Sequence, residues 1–263
     1  MSGSPFISVA ARDVLRCNHL DNFEALWHVE AESVDEPNRA RGGISSVSRL
    51  TLNDANGQPR TFYLQRQTNY LIRNIRRPFG QPTTEREFNN IVHYAELGIP
   101  ALEVACYAER REKGQWRALL LTPALEGYEP LDYWLKHWSR LGYRQKRDLI
   151  KAAAALVAQL HGKGMVHNSL YPKHIFLKPE ADGVGARLID LETSRAHLFS
   201  PRGYLRDLDA LNRRALAPSR TQRLRFMLDY LGKTRVDAQV RYWVTRVVRR
   251  STRKRQNKAK RHA

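Results

Sequence analysis

Leu160-His161-Gly162-Lys163-Gly164-Met165-Val166-His167-Asn168-Ser169-Leu170-Tyr171-Pro172-Lys173-His174-Ile175-Phe176-Leu177 is the stretch whose reading decides the fold. A helical run ends in His161-Gly162, Met165 and Val166 lead into a polar cluster, and Ile175-Phe176-Leu177 reads as a short strand. Past a turn at Asp182-Gly183, Leu188-Ile189-Asp190-Leu191-Glu192 is an apolar strand ending in carboxylates. A strand-end carboxylate can reach a magnesium ion bridging two phosphates, or it can simply cap the turn that follows.

Upstream, Gln145 to His161 is the best helix in the chain, with Leu149, Ile150, Ala153, Ala154, Val157 and Leu160 on one stripe. Leu131 to Trp138 predicts a shorter one, after a connector at 122–127. The N-terminal part reads as strands. Phe23 to Val29 is an apolar run that suggests a first strand. The runs 44–51 and 61–67 flank Asn53-Asp54-Ala55-Asn56-Gly57, and Asn-Gly supplies the positive φ of a tight hairpin. Runs 103–108 and 116–121 predict two more. A helix is expected from Thr84, where Thr84-Glu85-Arg86-Glu87 reads as a capping box and Gly98 ends the stripe. Downstream, helices are expected at 205–216, 221–231 and 238–248, with Pro201 and Gly203 breaking the chain before the first. The tail from Arg249 is either disordered or a frayed continuation of the last helix.

The formal charge is +19. Residues 249–263 hold eight Lys/Arg and no acid, and taking those eight away still leaves +11. Such a field attracts phosphate on nucleic acid, anionic lipid or sugar without choosing among them. No run approaches the roughly 18 apolar residues of a membrane span. Met1 to Arg16 lacks the basic start and apolar core of a signal peptide, so the expectation is a cytoplasmic protein. Cys17 and Cys106 read as small buried hydrophobes in a reducing compartment. Leu231-Gly232-Lys233-Thr234 is no phosphate loop, because Met227 stands where the earlier glycine is needed. The histidines lack cysteine or carboxylate companions at zinc spacing, and no recognised nucleic-acid fold accompanies the tail.

The order of helix, polar loop, strand and carboxylate resembles the catalytic loop and metal-binding turn of the protein-kinase fold. It is specifically similar to the lipopolysaccharide kinase family (the Kdo/WaaP-like and InaA group of bacterial sugar kinases), over roughly Trp27 to Arg214. The resemblance implies an α+β, bilobal protein-kinase-like fold. It comprises a small five-stranded antiparallel N-lobe with one helix (1–123), a mainly helical C-lobe (124–248) and a basic tail (249–263). It also implies ATP and Mg as cofactors, a lipopolysaccharide core sugar or other phosphate-bearing glycolipid as partner, and a peripheral place at the inner membrane, held through the basic tail, where such substrates are built. The kinase pattern is His, a variable residue, Asp, then a metal-binding Asn five positions on. Here His167 takes the first place, Ser169 the Asp, and His174 the last, where this branch itself carries His. Asp190 takes the metal-binding Asp. The phosphate-holding lysine position falls on Gln65, with Glu87 as its usual helix partner, although the capping box explains Glu87 equally well. Arg66 should point to the opposite strand face. Arg41 and Gly42 lie where kinases fold a lid over phosphates, or else in a solvated hairpin loop. A serine hydroxyl is not a base near neutral pH, and glutamine carries no charge. Two readings therefore stand: an atypical kinase helped by arginines such as Arg39, Arg41 or Arg66, and a pseudokinase that binds nucleotide, glycolipid or protein.

Overall fold

The computed structural model describes residues 5–74, 77–197 and 201–259. The chain divides into two compact units, 1–95 with 102–126, and 96–101 with 127–263.

The first unit holds β1 (Phe6–Ile7), α1 (Val9–Cys17), α2 (Phe23–His28), β2 (Glu32–Ser33), β3 (Asn38–Ala40), β4 (Gly43–Asn53), β5 (Pro59–Thr68), β6 (Leu71–Asn74), β7 (Arg77–Pro82), α3 (Thr83–Glu96), β8 (Cys106–Glu112) and β9 (Gln115–Pro123). Among the described residues its main sheet is seven-stranded and antiparallel, in the order β1-β8-β9-β5-β4-β2 with β3 also on β4. The β6–β7 hairpin stands apart. The expected five strands and single helix are thus corrected to a seven-stranded sheet and three helices. Pieces of two or three residues such as β1, β2 and β3 are too short to show a period of two. The β4–β5 turn is built as its sequence dictates. Asp54 Oδ1 accepts from the backbone N–H groups of Asn56 (2.9 Å) and Gln58 (3.0 Å), and Gly57 takes φ +73°.

The run from Phe23 to Val29, expected as a strand, is the helix α2. Asn22 caps it by accepting from Ala25 N (3.0 Å), and Phe23 and Leu26 bury its inner side. Its other end is closed by a distant residue. Arg66 of β5 donates Nε and Nη2 to Leu26 O (3.2 and 3.0 Å) and Nη2 to Val29 O. The apolar face of β4, β5 and β9 packs under α1 and α2, with Leu15, Leu26, Leu64, Leu119 and Leu121 fully buried at its centre. Cys106 belongs to that core, as expected, whereas Cys17, expected to be buried as well, is exposed.

The second unit holds β10 (Glu129–Pro130), α4 (Leu131–Lys136), α5 (Tyr143–Gly162), β11 (Met165–Val166), β12 (Ile175–Glu180), β13 (Gly183–Leu188), β14 (Arg195–Ala196), α6 (Arg202–Arg214), α7 (Arg220–Tyr230) and α8 (Ala238–Ala259). β10, β12 and β13 form one small antiparallel sheet, and β11 pairs with β14. The α5 stripe is as expected: Leu149, Ile150, Ala153, Ala154, Val157 and Leu160 are all buried. Gly203, expected to break the chain, lies in the first turn of α6, and its N–H donates to His197 Nε2 (3.1 Å). The tail is helical as far as Ala259, continuing α8; residues 260–263 fall outside the described part. An apolar cavity of about 870 Å³ lies among α4, α5, α6, α7 and α8, lined by Leu131, Leu149, Leu211, Phe226, Met227 and Val247.

Candidate active site

The stretch 160–177 becomes the end of α5, the strand β11, a loop, a 3-10 turn at Pro172–His174 and the strand β12. The loop is bound at both ends. His167 is fully buried, and its backbone N–H donates to Asp207 Oδ2 on α6 (2.7 Å). Its ring Nε2 lies 2.9 Å from the Ile189 carbonyl and donates to it, which ties the loop to the residue before Asp190. Thr193 Oγ1 donates to the His167 carbonyl (2.9 Å) and sits 3.2 Å from Ser169 Oγ. Asn168 holds a left-handed conformation (φ +62°), with Nδ2 donating to Thr193 O (2.8 Å) and Oδ1 accepting from Arg206 (3.0 Å). These bonds over-determine the backbone on either side of Ser169.

His174 is buried, and its Nδ1 lies 2.8 Å from the Ser169 carbonyl, so that nitrogen carries the proton. Nε2 then faces Asp190 Oδ2 at 3.1 Å. Burial lowers the affinity of His174 for a second proton, with Asp190 opposing. A neutral His174 sets a nitrogen lone pair against a carboxylate oxygen, a contact that a cation relieves. Asp190 itself sits in the left-handed region (φ +58°, ψ +60°), where Asp is tolerated better than bulkier residues.

This pair fits a divalent cation. Two ligands each about 2.1 Å from an octahedral ion, at a right angle, lie about 3 Å apart. The fit is partial by design of the chemistry: among the described residues no group of three or more His, Cys, Asp or Glu is placed to hold a metal. Mg²⁺ is commonly held by one or two protein groups and completed by phosphate oxygens and water. When bound, such an ion neutralises phosphate charge. The donors would be His174, fixed by the Ser169 carbonyl, and Asp190, next to Ile189, whose carbonyl accepts from His167. Ser169 supplies a hydroxyl that can orient a proton but cannot take one up near neutral pH.

His167, Ser169, His174 and Asp190 are thus brought together in the second unit. The other four expected positions belong to the first. Gln65 donates to Ser45 Oγ (3.3 Å), and Glu87 is half-buried on α3. Thr84 is not the residue that caps this helix. α3 begins at Thr83, and the Thr84 N–H and hydroxyl both bond Gln67 Oε1 (3.2 and 3.3 Å). Arg66 does lie on the opposite face of β5, but it is committed to α2. Residues 38–43 are a tight hairpin, the second of the two readings of this segment. Arg41 (φ +55°) and Gly42 (φ +76°) form its two-residue turn, and the Arg41 guanidinium sits 5.3 Å from the centre of the Tyr70 ring. Gly43 has no room for a side chain, because a Cβ there would meet the Thr68 and Asn69 backbone.

Sequence reasoning passed over Asp207, Arg206, Thr193 and Gln67. The signal for Asp207 was present: two carboxylates, Asp207 and Asp209, among the leucines of a basic helix, both fully buried.

Comparison with known proteins gives the family and the fold. A model of the lipopolysaccharide kinase (Kdo/WaaP) family matches residues 24–230. The chain belongs to that family. Among its relatives, protein InaA of Escherichia coli K12 is 31% identical over 180 residues, 68% of this chain and 81% of that protein. The lipopolysaccharide core heptose(I) kinase WaaP of Pseudomonas aeruginosa PAO1 is 28% identical over 158 residues, 56% of this chain and 59% of its own length. A solved structure of WaaP in complex with acyl carrier protein shares the fold with a TM-score of 0.66 at 22% identity. That match covers 95% of this chain and 98% of that one.

Proposed function

We propose that this protein transfers phosphate from ATP, with a divalent cation, to a sugar of the lipopolysaccharide core. The observation that carries the reading is the Asp190–His174 pair, a carboxylate and an imidazole held 3.1 Å apart with the histidine's other nitrogen fixed by the Ser169 carbonyl. Asp190 and His174 hold the cation, the Ser169 hydroxyl orients the acceptor proton, and Gln65 hydrogen-bonds a nucleotide phosphate where a lysine would place charge. Phosphoryl transfer depends mainly on positioning and charge, so a slow enzyme is the expected outcome. No described helix is long and apolar enough to cross a membrane. The exposed cations of α8 suit attachment at an anionic inner-membrane surface, where each basic residue contributes about 1 kcal/mol. The structural neighbour's complex makes acyl carrier protein the first protein to test as a partner.

A second reading has its own support. Ser169 and Gln65 together lack a base and a charge, which favours a pseudokinase that binds nucleotide without turnover. Thermal shift with Mg-ATP, then phosphate transfer to purified core oligosaccharide, separates the two. The kinase reading expects stabilisation by Mg-ATP and turnover, both lost in Asp190→Ala. Stabilisation without turnover favours the pseudokinase. Turnover unchanged in Asp190→Ala removes that residue from the site.

A further inference from the structure

On α6 and α8, three cations gather around one carboxylate, with a fourth one helical turn away. Asp209 is fully buried, and its Oδ1 accepts from Arg213 Nε (3.1 Å) and Ser251 Oγ (2.8 Å). Its Oδ2 lies 3.3 Å from Arg250 Nε and 3.8 Å from Lys254 Nζ. Neither contact is a directed hydrogen bond: Asp209 Oδ2 and Arg250 Nε are both buried without a hydrogen-bond partner among the described residues. The fourth cation is Arg206, one helical turn before Asp209, which donates Nη1 to Asn168 Oδ1 beside Ser169. Burial, then Arg213, Arg250 and Arg206, hold the Lys254 ammonium below its ordinary range, with Asp209 opposing.

One carboxylate balances one cation, so the cluster keeps an excess of positive charge in a partly desolvated place, where like charges repel. The arrangement is not closed to ligands. The side chains of Arg213, Arg250 and Lys254 are 21, 35 and 46% exposed, so their outer N–H groups reach solvent. Asp209 holds Arg213 through its inner Nε and draws Arg250 and Lys254 toward it by charge. We infer that Arg206, Arg213, Arg250 and Lys254 form a binding site for a phosphate monoester, set beside the catalytic loop by the Arg206–Asn168 hydrogen bond. A monoester offers nearly two charges and three strong acceptor oxygens, and guanidinium forks match that geometry. The α8 continuation then serves the site directly, by delivering Arg250 and Lys254 one turn apart. Its role is to hold an acceptor that already bears phosphate next to Ser169. That role, unlike the binding itself, rests on the phosphotransferase reading.

The test uses the full chain without ATP or Mg, so a failure of the kinase reading leaves it unaffected. Glucose 1-phosphate is titrated calorimetrically into wild type, into Arg250→Gln/Lys254→Gln, and into Arg241→Gln/Arg249→Gln, which removes equal charge from exposed positions of α8. The same proteins are floated with phosphatidic acid or phosphatidylcholine vesicles, the first of which carries its phosphate as a monoester. Binding weakened about tenfold or more in the first variant and unchanged in the second supports the site. Seen with glucose 1-phosphate, that pattern makes the source a soluble ester; seen only with phosphatidic acid, a lipid headgroup. Equal losses in both variants reduce the effect to diffuse charge and overturn the site, as does no binding to either probe. Should the double variant fail to fold, Lys254→Gln alone, at the exposed rim, gives the same readout.

Discussion

Gln65 and Gln67 stand two residues apart on one face of β5 and have different tasks. Among the described residues Gln65 holds only Ser45, which leaves much of its amide for other partners. Gln67 is 2% exposed and fully engaged: it donates to Ser45 Oγ (3.2 Å) and Thr83 Oγ1 (2.7 Å), and its oxygen receives Thr84. A neutral network therefore docks the start of α3 onto the sheet. Truncation at Gln67 would strand the N–H and hydroxyls of Thr84 and Thr83 in the interior, where each unsatisfied group costs about 1–3 kcal/mol. Gln67→Ala is expected to destabilise the protein by about 2–3 kcal/mol in urea unfolding, while Gln65→Ala stays within about 1 kcal/mol of wild type. Equal costs would mean that the two glutamines share the docking. Between them, Arg66 faces the other way and closes α2, which removes it from the set of arginines available to replace a phosphate-binding lysine.

At the scale of elements, α8 is the part whose length matters most. Val240, Val247 and Ser251 bury one side of it, and Asp209 meets it through Ser251, Arg250 and Lys254. Ending the chain after Val248 leaves Asp209 with Arg213 alone. Stripping partners from a buried carboxylate is costly. The truncated protein is expected to lose about 2–3 kcal/mol of stability in urea unfolding, whereas Arg249→Ala/Arg253→Ala, on exposed positions, stays within about 0.5 kcal/mol. A truncation as stable as wild type would show that the Asp209 contacts contribute nothing net. The same element shows what a sequence conveys. α5 was legible because its stripe is a local property. So was the run from His167 to Asp190, whose spacing carries the site. The end of α8 was expected as a disordered tail or a frayed continuation of the helix, and it continues the helix; its packing was not legible, since an acid-free basic run looks solvated until Asp209, some forty residues away, is placed against it. α2 was misread for the same reason: a contiguous apolar run fits strand or helix, and the residue that closes the helix is Arg66. Asp207 was missed because its meaning is a single bond to the His167 backbone, forty positions earlier.

At the scale of the whole molecule, acid should weaken this protein through its buried histidines. His161 is buried between α6 and α7, with Nδ1 2.8 Å from Tyr230 Oη and Nε2 3.4 Å from Asp207 Oδ2. Burial lowers its pKa from the ordinary 6.5, against the pull of Asp207, and burial lowers that of His174 in the same way. For both groups the unfolded chain takes up protons first. The folded state then binds fewer protons, so stability rises with pH across the window just below 6.5 and is lost as pH falls through it. Above that window both states are neutral at these sites and the effect vanishes. Urea unfolding between pH 5 and 8 should show a plateau at the alkaline end and a decline below about 6.5. His161→Gln keeps a donor for Asp207 but cannot titrate, so its decline should be shallower than that of wild type. A profile of the same slope in wild type and variant would mean that His161 is protonated equally in folded and unfolded chains, and that its burial is not felt by the proton.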